Sequence, residues 1–388
     1  LSYLQTDWYI DQMKRQAYQS TPIPGQLVHK QYAHGVREAI YYQKRTDNRW
    51  NIKDFVNWIT SDDPSTRSSR GAGEYKQDFY YYPTNKLRIP VNKENVLKSG
   101  IVKPEDADKI VDYIDITLPG AIDKARIVML DILANNDWKR PIYFTGGSMD
   151  SAEYLWMKDY LQLDGLVYKL VPIKTPIDKN NPYDMGRIDS ELMYNIVKRW
   201  TWGNMGKEGI YLDPETRKNS IIFRGNLARL TEQLIAEGKA AKASEIIDIA
   251  MKNMPVDAYG YYFTLDPFIE GSYKVGKKEQ ARAIALQVIK KYQEELNYYT
   301  HLPASDLNSN AKRIQYCIDR YGEVVMLSET LDKEFYTAQW AIFKDKAGLF
   351  MGEKELEEYF KGAASQAALD SLRNTLIDTT ATSDSTEE

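Results

Sequence analysis

At 388 residues the chain exceeds one ordinary domain, and two domains, or three, are expected. Hydrophobic residues at 43% and charged residues at 27% give ordinary globular composition, with enough apolar mass for a sizeable core. A net charge of -4 and a pI near 5.7 exclude the basic footprint of a nucleic-acid binder, and a single cysteine excludes an internal disulfide framework.

In chain order, Leu1–Leu4 reads as a strand remnant. The chain begins on leucine rather than methionine, so this reading makes it a fragment of a longer product. Thr6 and Asp7 cap a predicted helix through Ile10, Met13 and Ala17, which Pro22 and Pro24 end. Further helices are predicted over about 31–43 and 52–59, the latter with Phe55, Val56 and Ile59 on one side. Residues 60–76, polar and rich in Ser, Gly and Asp, read as a long mobile loop.

Extended structure is predicted over 78–92, short helices at Lys93–Leu97 and Pro104–Asp108, and a strand over Asp112–Leu118. Ala125–Asn135 is apolar on nearly every side and reads as a buried helix. A short strand over Ile142–Phe144 leads into a glycine turn at Gly146 and Gly147. A helix over Leu155–Gln162, a turn at Asp164 and Gly165, and a strand over Leu166–Ile173 follow. Strands alternating with helices imply an α/β layer with a small, partly parallel sheet.

Asp189 or Ser190 caps the next helix, and from about 222 to 372 almost everything reads as helix. Leu234, Gly238, Ala243, Ile247, Ala250 and Pro255 carry the spacing of the second half of a TPR repeat. The glycine makes the tight interhelical turn, the alanines permit close approach, and the proline stops the second helix. A weaker copy follows at Gly276, Ala281, Ala285 and Val288, and a third hairpin is expected over about 308–345. The domain reading is therefore 1–185 α/β, 186–375 an all-α array of TPR-like hairpins ending in a long helix, and 376–388 a disordered tail.

Chemistry-bearing patterns are sparse. Cys317 lies among Ile314, Ile318 and Tyr321, as a small buried hydrophobe would. No zinc, EF-hand or nucleophile-elbow spacing occurs, so no metal and no cofactor are expected. The best ligand site is the strand edge carrying Asp7, with Trp8 beside it, and the turn of Gly146, Gly147 and Ser148. Asp7 would act there as a general base and the glycine amides would bind an oxyanion or phosphate. A helix cap and a plain turn account for the same residues. Tyrosine occurs 29 times and tryptophan 8 times. Such an excess, with Asp, Asn and Arg nearby, fits carbohydrate stacking, but amphipathic rings at domain and helix interfaces are the plainer account. No run of about 18 apolar residues is present, so no membrane-spanning helix is expected.

Four segments, at 4–14, 87–91, 130–144 and 159–172, together resemble the C-terminal region of a bacterial family of multi-pass membrane proteins. That family, formerly of unknown function, is described as protein O-mannosyltransferase-like. The likeness covers about residues 1–175 well and the helical remainder loosely. It implies a membrane-anchored glycosyltransferase whose catalytic acid lies upstream of Leu1, so no catalytic residue is carried over. The chain would then be a non-catalytic tail on the periplasmic face of the inner membrane, positioning an acceptor protein or peptide in a hairpin groove. A free-standing TPR-type adaptor and an α/β enzyme at the Asp7 and Gly146 edge are the alternatives.

Overall fold

The computed structural model describes residues 2–16, 21–71, 73, 76–145, 155–176 and 185–362. The described residues form two compact units. The first takes residues up to 162 together with 167–176 and 185–187; the second takes 163–166 and 188–362.

The first unit mixes short strands and helices. In order it contains α1 (Asp7–Met13), α2 (His29–Tyr32), β1 (Ala39–Tyr42), β2 (Trp50–Asn51), α3 (Ile52–Thr60), β3 (Arg67–Arg70), β4 (Gln77–Tyr82) and β5 (Lys86–Pro90). Then come α4 (Lys93–Lys98), β6 (Tyr113–Thr117), β7 (Ala121–Asp123), α5 (Lys124–Asn136), β8 (Tyr143–Thr145), β9 (Leu161–Asp164, of which Leu161 and Gln162 count in this unit) and β10 (Val167–Leu170). The strands make three small sheets, ordered β3-β4-β1-β7, β2-β5-β6 and β8-β10-β9. β1 pairs with β4, and β2 with β5, in parallel. The partly parallel α/β character is therefore present, divided among three sheets.

Local sequence explains the best-formed elements. Asn51 caps α3 by accepting the Lys53 N–H, and α3 buries Ile52, Phe55, Val56 and Ile59. Each such side chain contributes about 1.5–3 kcal/mol when fully buried. On β6, Ile114 and Ile116 are buried while Tyr113 and Thr117 face out, the two-residue period of a strand with one covered face. Arg88 lies directly opposite Asp115 across the β5–β6 ladder, and its guanidinium grips the carboxylate at 2.8 and 2.9 Å. Ten of the 13 residues of α5 are buried, as its all-round apolar sequence requires.

Several expectations need correction. Ser2–Gln5 is a 3-10 turn rather than a strand, and the Thr6 hydroxyl donates back to the Tyr3 carbonyl at 2.7 Å instead of capping α1. The helix predicted over 31–43 stops at Tyr32, and Ala39–Tyr42 becomes β1 because β4 and β7 flank it on both sides. Within the polar stretch 60–76, Arg67–Arg70 forms β3, antiparallel to β4. Its Arg and Ser side chains follow no apolar alternation, and the partner strand supplies the order. The helix predicted over 155–162 is a 3-10 segment that ends at Tyr160, where β9 begins.

The second unit is helical: α6 (Ser190–Val197), α7 (Pro214–Ala236), α8 (Ala240–Asn253), α9 (Val256–Tyr259), α10 (Asp266–Lys274), α11 (Lys278–Tyr299), α12 (Ala304–Ser309), α13 (Ala311–Met326), α14 (Lys333–Ala347) and α15 (Glu353–Gly362). Asp189 caps α6 through the Leu192 N–H at 3.1 Å. The turns after α7 and α10 are the same structure. At Gly238 and Gly276 φ is +73° and +80°. The following lysine N–H reaches back to Leu234 O in one case and Ser272 O in the other, each at 2.8 Å. This Schellman geometry needs a left-handed residue, which is why glycine recurs 38 positions on. Ala243, Ile247, Ala250, Ala281, Ala285 and Val288 are all buried, so the spaced small and large residues do form helix seams. The expected extension of the last helix to 375 and the tail 376–388 lie outside the described residues.

Candidate functional site

Asp7 opens α1, and its carboxylate is already engaged. Oδ2 accepts the His34 backbone N–H at 2.8 Å, while Oδ1 lies 3.4 Å from the Lys124 ammonium. The same ammonium donates at 2.9 Å to Glu38 Oε1, which also accepts the Gly35 N–H at 2.7 Å. The Lys124 side chain is only 2% exposed, so its charge needs these two carboxylates. The His34 N–H, followed by the Lys124 charge, holds Asp7 below the usual carboxylate range; the Gly35 N–H and Lys124 do the same for Glu38. A carboxylate held down in this way is a weak general base. Asp7 therefore ties α1 to the 34–38 turn and to the start of α5.

Trp8 is 61% exposed and meets Tyr9 edge-to-face, with centroids 5.7 Å apart. Gly146, Gly147 and Ser148, the remaining residues of the site predicted from sequence, lie outside the described residues. Cys317 is fully buried and burial pushes its thiol well up, as suits a packed hydrophobe. Among the described residues no group of three or more His, Cys, Asp or Glu is placed to hold a metal. Nor is any described helix long and apolar enough to cross a membrane.

The segments that carry the family resemblance have structural duties. Asp131, buried on α5, accepts the backbone N–H groups of Gln26 and Leu27 at 2.7 and 3.0 Å. It thereby fixes a stretch without regular structure, and a Cβ on Gly25 would sit 2.5 Å from its Oδ2. Burial raises its pKa despite those bonds. Asp137, left-handed at the end of α5, accepts the Asn95 side-chain amide at 2.9 Å. Trp138 donates to Pro90 O at 2.8 Å, and Leu170 N–H to Ile142 O at 2.9 Å. The second, third and fourth segments thus hold one another.

A second candidate lies elsewhere among the described residues. An open groove of about 500 Å³ runs along the outer face of α3. Asp54, Asn57 and Trp58 line it at i, i+3 and i+4, the face opposite the buried Ile52, Phe55, Val56 and Ile59, and Ser61, the extended residue that ends the helix, lines it beyond them. Trp50 from β2, and Asp63, Ser65 and Thr66 from the turn that follows α3, complete the lining. Trp50 and Trp58 meet edge-to-face, with centroids 5.6 Å apart and planes at 66°. Trp58 is fixed by its own indole N–H, which donates to Tyr81 O at 2.8 Å. The Asp63 carboxylate accepts the Ser65 N–H at 2.8 Å, and its own N–H is accepted by Ser61 Oγ at 3.1 Å. The Ser65 N–H and hydroxyl keep Asp63 below the usual carboxylate range. Sequence reasoning passed over this groove, although the polar face of Asp54 and Asn57 with Trp58 beside them is legible at i, i+3 and i+4.

No curated protein and no solved structure matches the chain. Residues 1–192 match the family model described as TMEM260-associated domain 2, so this part of the chain is similar to a domain associated with an O-mannosyltransferase-like membrane protein.

Proposed function

We propose that the chain is a non-catalytic, extracytoplasmic part of an O-mannosyltransferase-like membrane protein. In this reading it faces the periplasm of a bacterial inner membrane, and its helical hairpins hold an acceptor protein or peptide. The single observation that carries the reading is the match of residues 1–192 to TMEM260-associated domain 2. Three features support it. Asp7, the strongest candidate base in the sequence, is bound to Lys124 and to the His34 N–H. The four resemblance segments are occupied with packing and backbone bonds, as a scaffold's would be. The hairpin unit offers exposed large side chains at Tyr211, Tyr298 and Leu349 on which a partner can rest.

Two measurements test this. Reporter fusions in the native gene should place the segment outside the cytoplasm. A photo-crosslinker at Tyr211, Tyr298 or Leu349 should capture proteins that carry O-linked sugar. Sugar transfer from a polyprenyl-phosphate donor by the purified chain alone would overturn the proposal, as would a cytoplasmic reporter signal.

A further inference from the structure

We infer that the groove on the outer face of α3 binds a neutral saccharide. The inference stands on the groove itself and not on the family match. Pyranose rings present one face of C–H groups and a rim of hydroxyls. A site for them therefore needs an aromatic plane with hydrogen-bonding groups around it. Trp50 and Trp58 supply the plane. The two indoles pack edge-to-face on each other, and Trp58 also on Tyr81, so the groove offers the outer surface of this cluster, on which a flat ring can rest, and not a cage of rings that would enclose a spherical cation. Asp54 and Asp63 supply carboxylate acceptors, and Asn57, Ser61 and Ser65 supply amide and hydroxyl groups. Carboxylates accepting sugar hydroxyls form charge-assisted bonds, the stronger kind.

Charge then selects among sugars. The lining contains two carboxylates and neither lysine nor arginine. Phosphorylated sugars and uronic acids would meet uncompensated negative charge there and are disfavoured. The platform is also set before any ligand arrives. Trp50 pairs in the β2–β5 ladder, Trp58 is tied to Tyr81 O, and Asp63 is tied to the Ser65 N–H. Little ordering remains to be done on binding.

Titration of the full chain, followed by tryptophan fluorescence, tests the inference. The probes are neutral gluco-, manno- and N-acetylglucosamine oligosaccharides, the same glycans on a peptide, their uronate and phosphate counterparts, and tetramethylammonium. A neutral oligosaccharide should saturate the signal with a Kd of about millimolar or tighter. Comparison of free and peptide-borne glycans tells which source the groove prefers. Asp54→Ala, at an exposed position on the solvent face of α3, should weaken binding about tenfold, the worth of one charge-assisted bond. Trp50→Ala should abolish it. The inference fails if no neutral sugar saturates, if Asp54→Ala leaves the affinity unchanged, or if an anionic sugar or tetramethylammonium binds more tightly.

Discussion

Trp138 donates its indole N–H to the Pro90 carbonyl at 2.8 Å and so joins the end of α5 to the end of β5. Trp138 is 7% exposed and left-handed, with φ at +58°. Trp138→Phe keeps most of the ring but leaves the Pro90 carbonyl without this donor. The expected loss is about 1–2 kcal/mol of stability, read from urea midpoints. An unchanged midpoint would mean that the carbonyl finds water instead.

Asp106 provides a pH test. Burial works to raise its pKa, but hydrogen bonds from Lys109 at 2.6 Å and Arg187 at 2.8 Å outweigh it and hold the carboxyl down at about 2. A depressed carboxylate contributes stability above its unfolded value near 3.8 and loses it as pH falls toward 2. The contribution is about 2 kcal/mol at neutral pH. Asp106→Asn should therefore be less stable than the parent by that amount at neutral pH. The gap should close between pH 4 and pH 2, approximately. Because other depressed carboxylates share the acid limb, the difference between the two curves is the quantity to measure. A gap independent of pH would refute the assignment.

Arg224 is a buried cation whose partners are backbone carbonyls and the Thr264 hydroxyl. Its guanidinium donates to Gly260 O at 2.6 Å and Met254 O at 2.8 Å, at the ends of α9 and α8. Burial lowers its pKa to about 10. Arg224→Met removes a costly desolvated charge but strips donors from two helix-end carbonyls. The second effect should win, with a net loss of about 2 kcal/mol. Arg224→Lys should recover only part of this, because one ammonium cannot span both acceptors as the planar fork does. Thermal melts of the two variants decide the matter, and equal stability of Met and Arg would show that desolvation wins.

Gly322 admits the ring of Phe360. A Cβ there would lie 2.3 Å from Phe360 Cζ, and Phe360 in turn packs edge-to-face on Phe343 with centroids 5.3 Å apart. Gly322→Ala should therefore displace α15 and cost about 1–3 kcal/mol through overpacking. In a Phe360→Ala background the same change should cost much less, and the double-mutant cycle isolates the contact. Additive effects would mean that α15 docks by other means.

Elements set by near neighbours are legible in the sequence. α3 declares itself through Asn51 and the spacing of Phe55, Val56 and Ile59; α5 through its apolar run; and the turns at Gly238 and Gly276 through a left-handed residue that only glycine adopts cheaply. β1 and β3 are not legible in this way, for the opposite reason. Ala39–Tyr42 and Arg67–Arg70 are strands because distant segments pair with them, and no periodicity within four residues records that.

The site divides in the same way. Periodicity alone places Asp54, Asn57 and Trp58 on one face of α3. That Trp50 stands across from Trp58, and that Lys124 reaches back 117 residues to Asp7, are results of tertiary packing. Helix faces follow from backbone geometry repeating every few residues, so local order suffices to write them. A groove or a buried ion pair depends on where unrelated segments come to rest, and only the folded core decides that.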